Sequence, residues 1–200
     1  MLGSLIIVGF FVLGVILAYF GFIPEFLAGS HFSFYALCAL MFCVGFSIGN
    51  DTKTLRSFRN LNPRLLLLPI MTIVGTLVGT FLISFVLPHR SPSDCMAVGS
   101  GFAYYSLSSI IISDTKGAEL GVIALMSNII RELSALLLAP LFVKYFGKLA
   151  PISVGGATSM DTTLPIITKY SGNEFIVTSI FHGMVVDFSV IFLVTLFCSF

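Results

Sequence analysis

No charged side chain occurs before Glu25, so residues 2–22 form an unbroken apolar run, long enough to cross a hydrocarbon layer of roughly 30 Å. Comparable runs follow at 32–49, 65–87, 94–113, 119–146, 150–169 and 174–199. Their continuity points to helices, because strands of a membrane barrel would alternate apolar and polar residues in segments of about ten. The expected fold is an all-α integral membrane protein with a single transmembrane domain over 1–200 and about seven segments. A cleaved leader would start with basic residues and end its short apolar run at small ones. The opening MLGSLIIVGFFVLGVILAYFGFIP does neither and is expected to stay in the mature chain.

Composition removes several function classes. Hydrophobic residues make up 57% and charged residues 10%, and ten Lys and Arg stand against nine Asp and Glu, a net charge of +1. Such a chain offers no basic face for nucleic acid. The four cysteines, Cys38, Cys43, Cys95 and Cys198, form no CxxC pair, so they read as packing residues and no metal or other cofactor is expected.

One loop is strongly basic: 50–64 carries Lys53, Arg56, Arg59 and Arg64 against Asp51 alone, and by the positive-inside rule it faces the cytoplasm. That places Met1 inside as well. If all seven segments cross, six basic loop residues lie inside and Arg90, Lys144 and Lys148 lie outside. If 94–113 is instead re-entrant, Lys144 and Lys148 exchange sides with Lys116 and Lys169 and the count is again six to three. Charge leaves the C-terminal half open.

Two segments are unlike lipid-facing helices. The first is GSGFAYYSLSS, residues 99–109, which brings Tyr105, Ser106 and Ser108 to membrane depth. The second is SVGGATSMDTTLP, residues 153–165, with Ser159, Asp161, Thr162 and Thr163. Irregular polar backbone is tolerated inside a membrane only where it is buried or lines a cavity, so both helices are expected to break there. Pro165 lacks an N–H and is expected to leave the Asp161 carbonyl bare beside the Asp161 carboxylate, an arrangement suited to a proton or a cation. Tyr104 and Tyr105 read equally well as site lining and as an interfacial belt. For Gly45 with Gly49 and Gly75 with Gly79, close helix packing is the expected role.

The block 119–146 carries Asn128, Arg131 and Glu132 near mid-membrane. Asn128 and Glu132 are four apart on a helix and Arg131 is three from Asn128, so all three look inward. Adjacent Arg131 and Glu132 diverge by about 100° and each needs a partner on another helix, with Asp161 and its carbonyl as candidates. Arg131 reads equally as a structural counter-ion. A buried carboxylate is neutralised by either a proton or a cation, and competition between the two is the physical basis of antiport. Asp187 and His182 are weaker candidates, the histidine reading first as a hydrogen-bonded packing residue.

With these residues in view, MAVGSGFAYYSLSSIIISD, NIIRELSALLLAP, GGATSMDTTLPII and FHGMVV, in that order, make the chain resemble the LysO-type lysine exporters of bacteria. The likeness is strong over the last hundred residues and looser over 1–90. It implies export of L-lysine and basic analogues across the cytoplasmic (inner) membrane, in exchange for protons. It also implies a fold like part of the cation/proton antiporter group, with inverted repeats and crossed, interrupted helices. Carried onto this chain, the family's intramembrane acids fall on Glu132 and Asp161, while Asp187 has no such counterpart. The resemblance further implies about three spans preceding these, supplied by a separately encoded small membrane subunit or by a homodimer. A sodium/proton antiporter and a non-transporting membrane scaffold are the alternatives. An enzyme is not expected, since no metal-ligand cluster, nucleophile–histidine pair or phosphate loop is evident.

Overall fold

The computed structural model describes residues 67–200 except Pro88, together with Leu65 and residues 9, 12–14, 16, 17 and 19–21. The expected span 32–49, the loop 50–64 and the Gly45–Gly49 pair lie outside the described residues, as does most of 2–22. Every regular element among the described residues is helical, with no strand among them. In chain order the helices are α1 (Leu68–Ser84), α2 (Pro92–Gly99), α3 (Tyr105–Lys116), α4 (Ala118–Phe146), α5 (Ala150–Gly155), a 3₁₀ turn (Gly156–Met160), α6 (Leu164–Ser171), a second 3₁₀ turn (Asn173–Phe175) and α7 (Ile176–Cys198). Proline sits in the first turn of α1, α2, α5 and α6, where its missing N–H costs nothing and its fixed φ favours the helix.

Side chains are not partitioned as in a soluble domain. Hydroxyls and amides share the interior with apolar residues, with Ser100, Ser108, Asn128, Ser159, Thr163 and His182 all buried. Large apolar side chains such as Ile130, Phe188 and Phe192, each at least 60% exposed, line the outside of α4 and α7. So much outward apolar surface is stable only against lipid or other apolar chains. Two stretches, Ala118–Phe146 and Asn173–Cys198, are long and apolar enough to cross a bilayer. This is a membrane protein.

The two unusual segments break where glycine and hydroxyl residues concentrate, and each then doubles back. Asp94, in the first turn of α2, lies 3.4 Å from the Lys116 ammonium at the end of α3, and Arg90 pairs with Glu119 at the start of α4. A continuous traverse would hold Asp94 and Lys116 about 30 Å apart at 1.5 Å per residue. Block 94–113 is therefore a re-entrant hairpin (hairpin A), with its open end at the N-terminal end of α4. Lys148 and Glu174, which flank α5 and α6, meet in the same way at 2.9 Å beyond the C-terminal end of α4. Block 150–169, expected to cross, is thus a second hairpin (hairpin B). The helices were long enough on paper; the breaks at 100–104 and 156–163 turn them around.

The hairpins approach from opposite ends of α4 and their tips meet. Ala157 N–H donates to the Phe102 carbonyl at 2.9 Å. Gly156 makes this approach possible: its φ is +60°, and a Cβ there would fall on the Phe102 carbonyl oxygen. α1 runs antiparallel to α4, with Thr76 beside Arg131 while Ile83, further along α1, shares a cleft with Leu120 and Ile123 at the start of α4. A helix followed by a hairpin thus occurs twice in opposite orientation, α1 with hairpin A and α4 with hairpin B. α7 then passes both tips, packing Val186, Val190 and Val194 against Phe102, Ile112, Leu120 and Ala124. The Gly75–Gly79 pair does not serve close packing among the described residues, since a Cβ at either position would meet nothing within 4 Å.

The ion pair closing hairpin B is more than half exposed on both partners. Such pairs contribute at most about 1 kcal/mol. Lys148→Ala is accordingly expected to shift the melting temperature in detergent by no more than a few degrees, and a collapse of folding would show that hairpin B depends on its base rather than its tip.

Candidate functional site

One turn of α4 supplies three polar side chains, each to a different element. Asn128 serves hairpin A: its Oδ1 accepts from Ala103 N–H at 2.8 Å, and its Nδ2 donates to the Ala124 carbonyl at 2.9 Å. Phe102 and Ala103 hold φ of +43° and +72°, a conformation that side chains other than glycine rarely adopt. The Asn128 amide stabilises it by satisfying a buried N–H that the break strands. Ser108, which donates to the Tyr104 carbonyl at 2.8 Å and lies 3.4 Å from Asn128 Nδ2, completes this support. Asn128→Leu is expected to cost about 1–3 kcal/mol by orphaning Ala103 N–H, measurable as a lower melting temperature of the purified protein. An unchanged melting temperature would remove Asn128 from this role.

Arg131 turns the other way. Its Nε donates to the Val154 carbonyl at 2.9 Å, Nη2 to the Ser153 carbonyl at 3.0 Å and Nη1 to Thr76 Oγ1 at 3.4 Å, while the guanidinium lies 5.4 Å from the Phe102 ring centre. Neither Asp161 nor another acid among the described residues pairs with it. The expected Arg131–Asp161 contact is absent because the last carbonyls of α5, unpaired at the helix end, draw the guanidinium instead.

Glu132 reaches the far arm of hairpin B. Thr162 Oγ1 donates to Glu132 Oε1 at 2.5 Å and lies 3.3 Å from Asp161 Oδ1, which also accepts from Thr162 N–H at 2.5 Å. The two carboxylate oxygens are thereby held within about 6 Å of each other, where bare like charges repel strongly. A hydroxyl has a single proton and cannot serve both. None of the ion pairs among the described residues involves either acid. All three residues are half-buried. Two carboxylates so placed need a mobile positive charge, whether a proton or an ammonium group.

The Asp161 carbonyl is not bare as expected. Pro165 does lack an N–H, but α6 begins at Leu164, whose N–H donates to the Asp161 carbonyl at 3.1 Å. Only the carboxylate of Asp161 is left to offer. Tyr105, at the exposed start of α3, lies within electrostatic range of both acids, and Asp187 within range of Asp161.

Other residues singled out from the sequence are placed elsewhere. Thr163 is fully buried and donates to the Thr158 carbonyl at 2.8 Å, bracing the loop. Ser159 contacts His182 Nδ1 at 3.0 Å and the Gly156 and Ser179 carbonyls. Ser106 is exposed, and its carbonyl accepts from Ser109. No hydrogen bond among the described residues joins Ser106, Ser108, Ser159 or Thr163 to either acid. Sequence reasoning did not connect His182 with α1. Its Nε2 lies 3.0 Å from Thr72 Oγ1, so one buried imidazole ties α1, the tip of hairpin B and α7 together. A histidine in an apolar run signals such a node, but not its partners.

A family model described as lysine exporter LysO matches residues 8–198. Among curated proteins, the chain is 32% identical over 165 residues to "Lysine exporter LysO" of Escherichia coli, covering 82% of this chain and 54% of that protein. It is 34% identical over 166 residues to "Putative lysine exporter" of Haemophilus influenzae, covering 83% and 84%. The chain thus spans about half the length of the first relative and most of the second. No solved structure matches it.

Proposed function

The chain belongs to the lysine exporter LysO family, and from that premise we propose that it moves L-lysine and close basic analogues out of the cell, one ammonium group exchanging with protons on Glu132 and Asp161. The observation that carries this reading is the meeting of the two acids at Thr162, beside the tips of two opposed hairpins. Substrate ammonium and proton neutralise the same pair of charges, so occupancy by one displaces the other. Thr162 holds this site together. Hairpin A, hairpin B and the unwound backbone between them are the elements that would open the site to one side and then the other.

The re-entrant turns also sharpen orientation. With both hairpins returning to the side they enter, Lys53, Arg56, Arg59, Arg64, Lys144, Lys148 and Lys169 share one side, against Arg90 and Lys116 on the other. Seven against two supports a cytoplasmic C-terminal end of α4 and an outward Phe200, in a bacterial inner membrane.

Proteoliposomes loaded with labelled lysine and given a proton gradient test the reading. Lysine efflux that accelerates when protons are supplied from the opposite side is the expected result. Sodium exchange for protons with lysine retained would replace lysine by sodium as the cargo, and absence of any exchange from correctly assembled protein would favour a scaffold.

A further inference from the structure

Arg131 does not use all of its binding capacity. A guanidinium has five N–H donors, and three are taken, by the Val154 carbonyl, the Ser153 carbonyl and Thr76 Oγ1. Two donors and a full positive charge stay unmatched by any acid among the described residues. A buried charge without a counter-charge is costly, and neutral carbonyls offset it only in part.

That charge faces space. A cleft of about 380 Å³ lies between α1, α4 and α5, lined by Met71, Thr72, Gly75, Thr76, Arg131, Ser153 and Val154. This is within the roughly 300–1,000 Å³ of small-molecule sites. Gly75 lies on its α1 wall, where a Cβ would meet nothing within 4 Å and a larger side chain has room to enter. The rest of the lining is apolar at Met71 and Val154 and neutral at Thr72, Thr76 and Ser153, with no acid, so Arg131 is its one charge and disfavours a cation. Arginine's planar fork matches a carboxylate in a bidentate geometry.

Arg131 and Glu132 are neighbours on α4 and leave it about 100° apart. One head grips α5 and the other reaches Thr162 beyond the tip of hairpin B. A rigid element thus presents a cationic head on one side and an acidic pair on another.

We propose that the Arg131 cleft is a carboxylate subsite that takes the α-carboxylate of the transported amino acid. This rests on the exporter reading and deepens it. The substrate class is then basic amino acids with a free carboxylate, and diamines of the same length are excluded. Arg131 discriminates by charge and fork geometry, and Gly75 by leaving room.

The test is titration of the purified full chain with L-lysine and with 1,5-diaminopentane, which keeps both ammonium groups and lacks the carboxylate. Wild type is expected to bind lysine at least tenfold more tightly than the diamine. Arg131→Gln should bring lysine down to the diamine's affinity while leaving the diamine unchanged, and Arg131→Lys should recover only part of the difference. Because Arg131 also steadies α5, Gly75→Leu provides an independent arm: it fills the cleft without touching an Arg131 hydrogen bond and should weaken lysine alone. Equal wild-type affinity for the two ligands, or parallel loss of both in Arg131→Gln and Gly75→Leu, overturns the subsite and leaves the exporter reading intact. Binding of neither ligand by folded wild type overturns both.

Discussion

Glu132→Gln is expected to abolish coupled lysine efflux, by about a hundredfold or more, while the protein still assembles in the membrane. The amide keeps the shape of the side chain and a hydrogen bond to Thr162, but it has no charge to exchange between proton and ammonium. Proton transfer through a positioned side chain is typically worth about 10²–10⁴-fold in rate, the scale behind that estimate. Asp161→Asn should be comparably damaging, since both acids flank the same hydroxyl. Melting temperature and gel-filtration profile accompany the flux assay. Wild-type efflux from the Glu132→Gln protein would end the two-acid mechanism, and failed assembly would move Glu132 into a packing role.

Gly156→Val should prevent folding of the two-hairpin centre. Gly156 combines a φ of +60° with a backbone oxygen at the position a Cβ would occupy. The first feature costs roughly 1–3 kcal/mol for a residue other than glycine. The second cannot relax by rotating a side chain, because the obstacle is the Phe102 carbonyl that also accepts from Ala157. Together they approach the whole stability of a typical domain, about 5–15 kcal/mol. The expected outcome is little or no monodisperse protein after extraction, with Gly156→Ala expressing at a sharply lower melting temperature. A Gly156→Ala protein that melts like wild type would show that the tips are not in close contact.

The helical character of the described residues and the places where helices break were legible because both are local. Runs of apolar residues report burial in lipid, and clusters of glycine, serine and threonine at 99–109 and 153–165 report backbone that cannot face it. The direction of the chain after each break was not legible. Doubling back is seen only where Asp94 meets Lys116 and Lys148 meets Glu174, pairs separated by more than twenty residues, and hydropathy treats a hairpin and a span of equal length alike. Glu132 and Asp161 drew attention as costly intramembrane acids, yet the residue joining them, Thr162, is one hydroxyl among several in its segment. Pro165 misled in an instructive way. Its missing N–H was correctly noted, but the bare carbonyl assumed a helix continuing through Asp161, whereas α6 starts three residues later and Leu164 fills the vacancy.

Asn128, Arg131 and Glu132 occupy little more than one turn of α4, yet they hold hairpin A, the first arm of hairpin B and the acid pair respectively. A helix in this setting moves as a rigid rod, so no torque can reach one of these contacts without reaching the other two. On the exporter reading the turn would act like a camshaft, a small rotation reaching all three contacts at once. Strict alternation between the two faces would then need no long-range relay, only about 6 Å of stiff backbone.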